Sequence, residues 1–375
     1  MELARHCRTG NLAALQAYCA WANATIAQVR ESFALQQACV NGHLEVARWL
    51  QQTFELTGVD VRAENNVTLH LTCAGGHLKV AQWLCQTFRL TVEDVRSVNN
   101  RIFRLSCAHG HLEVARWLQQ AFHLTALDAR ADDGYALRMA CGNGHLEVAR
   151  WLQQTFQLTE LDARADNSYA FRVACGDGHL EIARWLQQTF QLTAADARAD
   201  DNCGLRMACG NGHLETARWL HQTFQLTAAD VRSKTDWALR GACLGGHLEV
   251  ARWLQQTFQL TAADAQAESN VILQWTCARG YLDIVCWLQR TWGIPPEAQD
   301  DARSAFPIHP ICAAYLQSLR KLCWSPRTHV DFPLHARRLA LRLLLINQRL
   351  AREPGTLPPL PPELWYHLLS YLPAW

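Results

Sequence analysis

A glycine returns every 34 residues in this chain, at Gly42, Gly76, Gly110, Gly144, Gly178, Gly212, Gly246 and Gly280, without a slip in register. A fixed period of this size defines a repeat protein before any element is assigned, because one supersecondary unit leaves an apolar face that only its neighbours can cover. A degenerate copy opens the chain around Gly10, 32 residues before Gly42, which makes nine units.

Residues 145–156, His-Leu-Glu-Val-Ala-Arg-Trp-Leu-Gln-Gln-Thr-Phe, exemplify the segment after each glycine. Val148, Ala149, Trp151, Leu152 and Phe156 fall on a helical period that no strand can satisfy, so the segment reads as an amphipathic helix. Glu147 and Arg150 lie on its other face as a weak solvent pair. Ahead of it, Tyr135 to Cys141 reads as a short first helix ending at the turn Gly142-Asn143-Gly144. Ser32, Asn66, Asn100, Gly134, Ser168, Asn202, Asp236 and Asn270 precede the first helices and are all residue types that cap helix amino termini.

A second signature comes after the long helix: Thr159-Glu160-Leu161-Asp162, Thr193-Ala194-Ala195-Asp196 and their equivalents at Thr57, Thr91, Thr125, Thr227 and Thr261, with Thr25-Ile26-Ala27-Gln28 in the first unit. Thr-x-x-Asp approximates a capping box and predicts a short third helix. The fold class expected is therefore all-α, a solenoid of about nine stacked helix-turn-helix units.

Gly-His-Leu-Glu-Val-Ala-Arg-Trp-Leu resembles the second helix of ankyrin repeats, and Leu-Arg-Met-Ala-Cys, at residues 137–141, resembles their first. Residues 67–73, Val-Thr-Leu-His-Leu-Thr-Cys, come nearest the family pattern. The chain departs from it by lacking Thr-Pro before the first helix, by a period one residue longer, and by the Thr-x-x-Asp segment where ankyrin repeats carry a β-finger. That last departure predicts a helix in place of the finger. A tetratricopeptide array shares the period, but its Trp-x-x-Leu-Gly-x-x-Tyr pattern does not fit.

The resemblance implies a non-catalytic scaffold that binds another protein on a concave face. Internal copies separate joints from specificity: a side chain constant in every copy serves stacking, and an exposed one that varies is a candidate for the partner. Variation concentrates two residues beyond the first-helix apolar position, at Met139, Val173, Met207 and Trp275 among others, and just after the capping positions, at Arg101, Tyr135, Tyr169 and Trp237. These eight residues are the candidate partner-binding set, since aromatic and arginine side chains dominate interface hot spots. They are equally able to fill grooves between units.

Constant positions are assigned to the fold. The tryptophans from Trp49 to Trp287, one per unit, are placed in the core. The Gly-His histidines are read as hydrogen-bonding residues, because one per layer cannot supply two ligands to a metal. Nine cysteines, each three residues before a repeat glycine, are read as small buried apolar groups too far apart for disulfides. Arg104, Arg138, Arg172, Arg206 and Arg240 replace the family histidine, and their near-constancy points to bonds within or between units.

The period fails after Trp292, and the chain divides at residue 305 into the repeat solenoid, 1–305, and a degenerate terminal repeat with a helical carboxy-terminal segment, 306–375. Residues 306–375 hold eight Lys or Arg against three Asp or Glu. Leu334 to Leu350 reads as a helix, and residues 357–372 resemble the opening of an F-box. Ser318 to Cys323 is similar to the start of a SOCS box. These resemblances imply an alternative function, a substrate receptor that recruits cullin ubiquitin-ligase components, set against a plain helical cap.

A formal net charge of +1 and the lack of a recurring basic stripe argue against nucleic acid or anionic membrane as the partner. No window reaches the ~20 apolar residues of a membrane span. Neither does Met1 to His6 begin a signal peptide, so an intracellular, cytoplasmic location is expected. Phosphate loops, nucleophile elbows and His-Glu-x-x-His sites are all missing from the sequence. No enzymatic activity, cofactor or metal is expected.

Overall fold

The long amphipathic segments form helices Leu44–Phe54, Leu112–Phe122, Leu146–Phe156, Leu180–Phe190 and Leu214–Phe224 in a computed structural model, which describes residues 2–292 and 309–312. Every regular element among the described residues is an α-helix. Residues Met1–Gly241 and Ala242–Trp375 make two compact units, and the repeated helix pattern is present in both. The expected helices at 334–350 and 363–372, and the F-box-like and SOCS-box-like stretches, lie outside the described residues.

Helix Leu146–Phe156 buries Val148, Ala149, Leu152 and Phe156. Its end is fixed by Gln157 in the left-handed region (φ 50°) and by the Leu158 N–H donating to the Gln153 carbonyl at 3.1 Å. Burial of Leu158 beneath that bond offsets the cost of left-handed backbone at a non-glycine residue. The repeat tryptophans depart from the core placement. Trp49 through Trp253 are half-buried at the flank of the apolar stripe, and only Trp287 is buried. In each of these seven, the ring packs edge-on to the Phe five residues later at 5.6–5.8 Å. The stripe centre belongs to the smaller Val, Ala and Leu, which allow helices to approach closely.

The third helix is present where the capping box predicts it, as Ala126–Ala129, Glu160–Ala163, Ala194–Ala197 and Ala228–Val231. Asp162 Oδ2 accepts from the Thr159 backbone N–H at 2.7 Å and from the Thr159 hydroxyl at 3.1 Å. Four-residue helices are unstable alone, so this cap and neighbouring units must hold them.

Of the residues read as amino-terminal caps, Asn66, Asn100, Gly134, Ser168 and Asn202 close left-handed turns instead, while Asp236 and Asn270 lie outside the described side chains. Helix Ala131–Gly142 opens with Asp132, Asp133 and Gly134 all left-handed, at φ 57°, 51° and 69°. Glu64-Asn65-Asn66, Val98-Asn99-Asn100, Asp166-Asn167-Ser168 and Asp200-Asp201-Asn202 repeat this turn. Left-handed backbone costs an L-residue roughly 1–2 kcal/mol and is tolerated best by Gly, Asn and Asp, which accounts for the composition. At two of these turns the last residue reaches sideways instead of capping: Ser168 Oγ donates to Asp196 Oδ1 of the next layer at 2.9 Å, and Asn66 Nδ2 to Asp94 Oδ1 at 3.4 Å.

Repeat glycines are required on two counts. Gly110 has φ 79°, and a Cβ placed there would lie 2.5 Å from the His145 ring of the following layer. The histidines cross the same joint with hydrogen bonds, His43 Nε2 to the Arg8 carbonyl at 2.9 Å and His111 Nε2 to the Ala74 carbonyl at 2.8 Å. Burial holds the His111 and His145 imidazoles below the ordinary histidine range, so they stay neutral and donate through one nitrogen. No cysteine among the described residues forms a disulfide, and burial pushes the thiols of Cys141, Cys175 and Cys209 upward.

Candidate functional site

Two arginine ladders join the layers of the first compact unit and frame the candidate residues. The first runs between third helices. Arg130 Nε donates to Asp162 Oδ1 at 2.6 Å and Arg130 Nη2 to Oδ2 at 3.0 Å. The same two-pronged pair joins Arg30 to Asp60, Arg62 to Asp94, Arg96 to Asp128, Arg164 to Asp196 and Arg198 to Asp230. Each aspartate thus caps its own helix and receives the preceding unit's guanidinium. Burial would raise these carboxyls, but the arginine and Thr hydrogen bonds outweigh it and hold Asp60, Asp94, Asp128, Asp162, Asp196 and Asp230 below the usual carboxylate range. Gln28, the first unit's neutral equivalent, closes its capping box with an amide.

The second ladder holds the left-handed turns. Arg172 Nε donates to the Asn167 carbonyl at 2.7 Å, Nη2 to the Asp166 carbonyl at 3.0 Å, and Nη1 to the Asp200 carboxylate of the next unit at 2.8 Å. Arg104 contacts the carbonyls of Val98 and Asn99 and the carboxylate of Asp132. Arg138 reaches the Asp132 carbonyl at 3.0 Å and Asp166 at 2.5 Å. Arg206 bonds the carbonyls of Asp200 and Asp201. Carbonyls left unpaired by a reversed backbone are thereby satisfied by a buried cation.

Aromatic candidates stack on this ladder. The Arg104 guanidinium lies 4.8 Å from the Tyr135 ring centre, and Tyr169 sits between Arg138 at 5.1 Å and Arg172 at 5.6 Å. Arg206 lies 5.6 Å from Trp237, whose ring also covers Gly210 and Gly241 so closely that a Cβ on Gly241 would stand 2.7 Å away. Tyr135, Tyr169 and Trp237 are half-buried, each with part of its ring occupied by a joint between layers. Arg101 is exposed.

Met139, Val173 and Met207 are half-buried on the same helices. Val173 faces Gly142 and Met207 faces Gly176, where an added Cβ would meet them at 2.8 and 2.7 Å. The structure therefore gathers Tyr135, Met139, Tyr169, Val173, Met207 and Trp237 along successive first helices of one compact unit. Trp275 belongs to the other unit, where the Arg279 guanidinium stands 5.6 Å from its ring.

The third-helix ladder escaped the sequence reading, although the constancy of Arg130, Arg164 and Arg198 beside each Thr-x-x-Asp carried the signal. Among the described residues, no group of three or more His, Cys, Asp or Glu could hold a metal ion, and no helix is long and apolar enough to cross a membrane.

A family model described as ankyrin repeats (many copies) matches residues 102–153. That stretch includes two first helices and nearly all of two second helices, and the all-helical architecture fits an ankyrin repeat protein. No curated protein matches the chain. Ankyrin repeats indicate a protein–protein interaction scaffold, and the fold is an ankyrin-type helical repeat solenoid.

Proposed function

We propose that the chain binds a protein partner on the first-helix surface formed by Arg101, Tyr135, Met139, Tyr169, Val173, Met207 and Trp237, with Trp275 serving equivalently in its own compact unit. One observation carries this reading. Side chains that differ between copies collect at two neighbouring positions of one helix, while the Arg–Asp pairs and Gly–His contacts that join the copies scarcely change. A partner reading the variable positions would meet ring edges and thioethers, held in place from beneath by the arginine ladder.

Affinity capture with the full chain tests this. Tyr135 and Tyr169 changed together to Ala, with Met139 changed to Glu, should release the partner while far-ultraviolet circular dichroism stays unchanged. Capture of the same proteins in the same amounts by this variant would sink the proposal. Ligase recruitment through residues 357–372 rests on sequence resemblance, and the same experiment addresses it: cullin-ligase components should be captured by the full chain and lost when it ends at Ala305.

A further inference from the structure

Among the described residues, one carboxylate of the second ladder lacks an arginine. Asp132, Asp166 and Asp200 occupy the first position of their left-handed turns, and each receives the arginine of the preceding unit. Glu64 occupies that position in the third unit, with the same left-handed backbone at φ 52° and ψ 44°. Opposite it, where later units carry arginine, the second unit carries Gln36, which is neutral and shorter. Glu64 has no ion-pair partner among the described residues.

Space is left where that arginine would lie. An open pocket of about 410 Å³ is lined by Phe33, Gln36, Leu56, Val59, Glu64 and Val67, among others. Its origin is the short spacing from Gly10 to Gly42: the missing residues come out of the left-handed turn, so Ser32 has φ −81° and Phe33 alone is left-handed, at φ 52°. A bulky aromatic residue rarely adopts this conformation, and here it leaves Phe33 51% exposed at the pocket. Phe33 and Gln36 are spaced like Tyr169 and Arg172, which stack at 5.6 Å. The other charged groups of the lining, Arg30 and Asp60, are consumed by each other at 2.6 and 3.3 Å. Glu64 therefore sets the charge of the pocket.

We propose that this pocket receives an arginine side chain from a protein partner and so completes the missing rung. The guanidinium meets Glu64 and lies against the face of Phe33, and the aliphatic stem runs along Leu56, Val59 and Val67. The assignment comes from the chain's own later layers, which place a guanidinium between a left-handed carboxylate and an aromatic ring. It is independent of the first-helix surface proposed above, and either can fail while the other stands.

The test uses the full chain and three capped pentapeptides, Gly-Ala-X-Ala-Gly, with arginine, lysine or citrulline at X, followed by saturation-transfer NMR to millimolar concentration. The arginine peptide should bind at least ~10-fold more tightly than the citrulline and lysine peptides, and Glu64→Gln should weaken it by ~10-fold or more without lowering the melting temperature. Gln36→Arg, which supplies the guanidinium from within the chain, should abolish peptide binding and raise the melting temperature. No binding of the arginine peptide, equal binding of all three, or undiminished binding to either variant overturns the proposal. So does a fall in melting temperature on Gln36→Arg, because a vacant arginine slot would accept that side chain.

Discussion

The joint around Gln36 and the joint around Arg172 use equivalent helices with different fillings. At the later joint a buried arginine ties two carbonyls of a three-residue left-handed turn to a carboxylate of the next unit. At the Gln36 joint the turn is cut to one left-handed residue, the arginine is a glutamine, and an open pocket remains. Both joints keep the capping box and the third-helix pair, Arg30 with Asp60 in one and Arg164 with Asp196 in the other. The outer ladder, between third helices, thus runs unbroken from Arg30 to Asp230, whereas the inner ladder, at the left-handed turns, is found only where the backbone reverses its hand.

The two joints should part most clearly when the side chain at the arginine position is truncated in each. Arg172→Ala should cost about 3 kcal/mol in urea unfolding, because two turn carbonyls and the Asp200 carboxylate lose their buried partner. Gln36→Ala should change stability by less than about 0.5 kcal/mol. Comparable losses would show that the Gln36 joint is no different from the rest.

Asp196→Ala should cost about 2 kcal/mol, since it removes a helix cap and the acceptor of Arg164 together. Asp60→Ala should cost the same if the outer ladder is uniform. Parallel melting curves check it.

Val98 probes the reversed turn from another side. It is β-branched yet left-handed at φ 53°, at the turn position that later units give to Asp. Val98→Asn should stabilise the chain by about 1 kcal/mol, as the strain of a branched residue is relieved. A loss of stability would show that Val98 has packing worth more than its backbone cost.

Acid should act on His70 and on the outer ladder in separate windows. Burial, followed by the neighbouring Arg101 charge, lowers His70 to about 4, so the fold favours its neutral form. Its contribution is complete above the unfolded value of 6.5 and is lost as pH falls toward 4. The outer-ladder aspartates are also lowered, so their contribution is complete above the unfolded carboxylate value of ~3.9 and is lost as pH falls through the folded values. Urea midpoints measured against pH should decline modestly between 6.5 and 4 and steeply below. His70→Gln should reduce only the first decline, the remainder of which belongs to His111 and His145.

What the sequence made legible was local. The amphipathic helix and the third helix could be read because their signals lie within a turn or two: Val148 to Phe156 for one, Thr159 and Asp162 for the other. The left-handed turns were not readable from the same kind of evidence, because Asn66, Ser168 and Asn202 are as typical of an amino-terminal cap as of reversed backbone. Only their partners decide, and those lie in the next layer: Ser168 answers Asp196 across 28 residues, and Arg164 answers Asp196 across 32. The aromatic candidates illustrate the same gap. Variation among Tyr135, Tyr169 and Trp237 could be seen in the letters, but their shared arginine supports required the stacking.

In the outer ladder, each repeat from the second through the sixth gives its arginine forward and offers its aspartate backward. Donor and acceptor therefore travel together in one 34-residue cassette. A cassette copied into the middle of the array would meet an aspartate ahead and an arginine behind, leaving no charge orphaned at either new seam. The array can lengthen by duplication without any compensating change, and near-identical neighbours such as residues 146–156 and 180–190 are what such growth leaves behind.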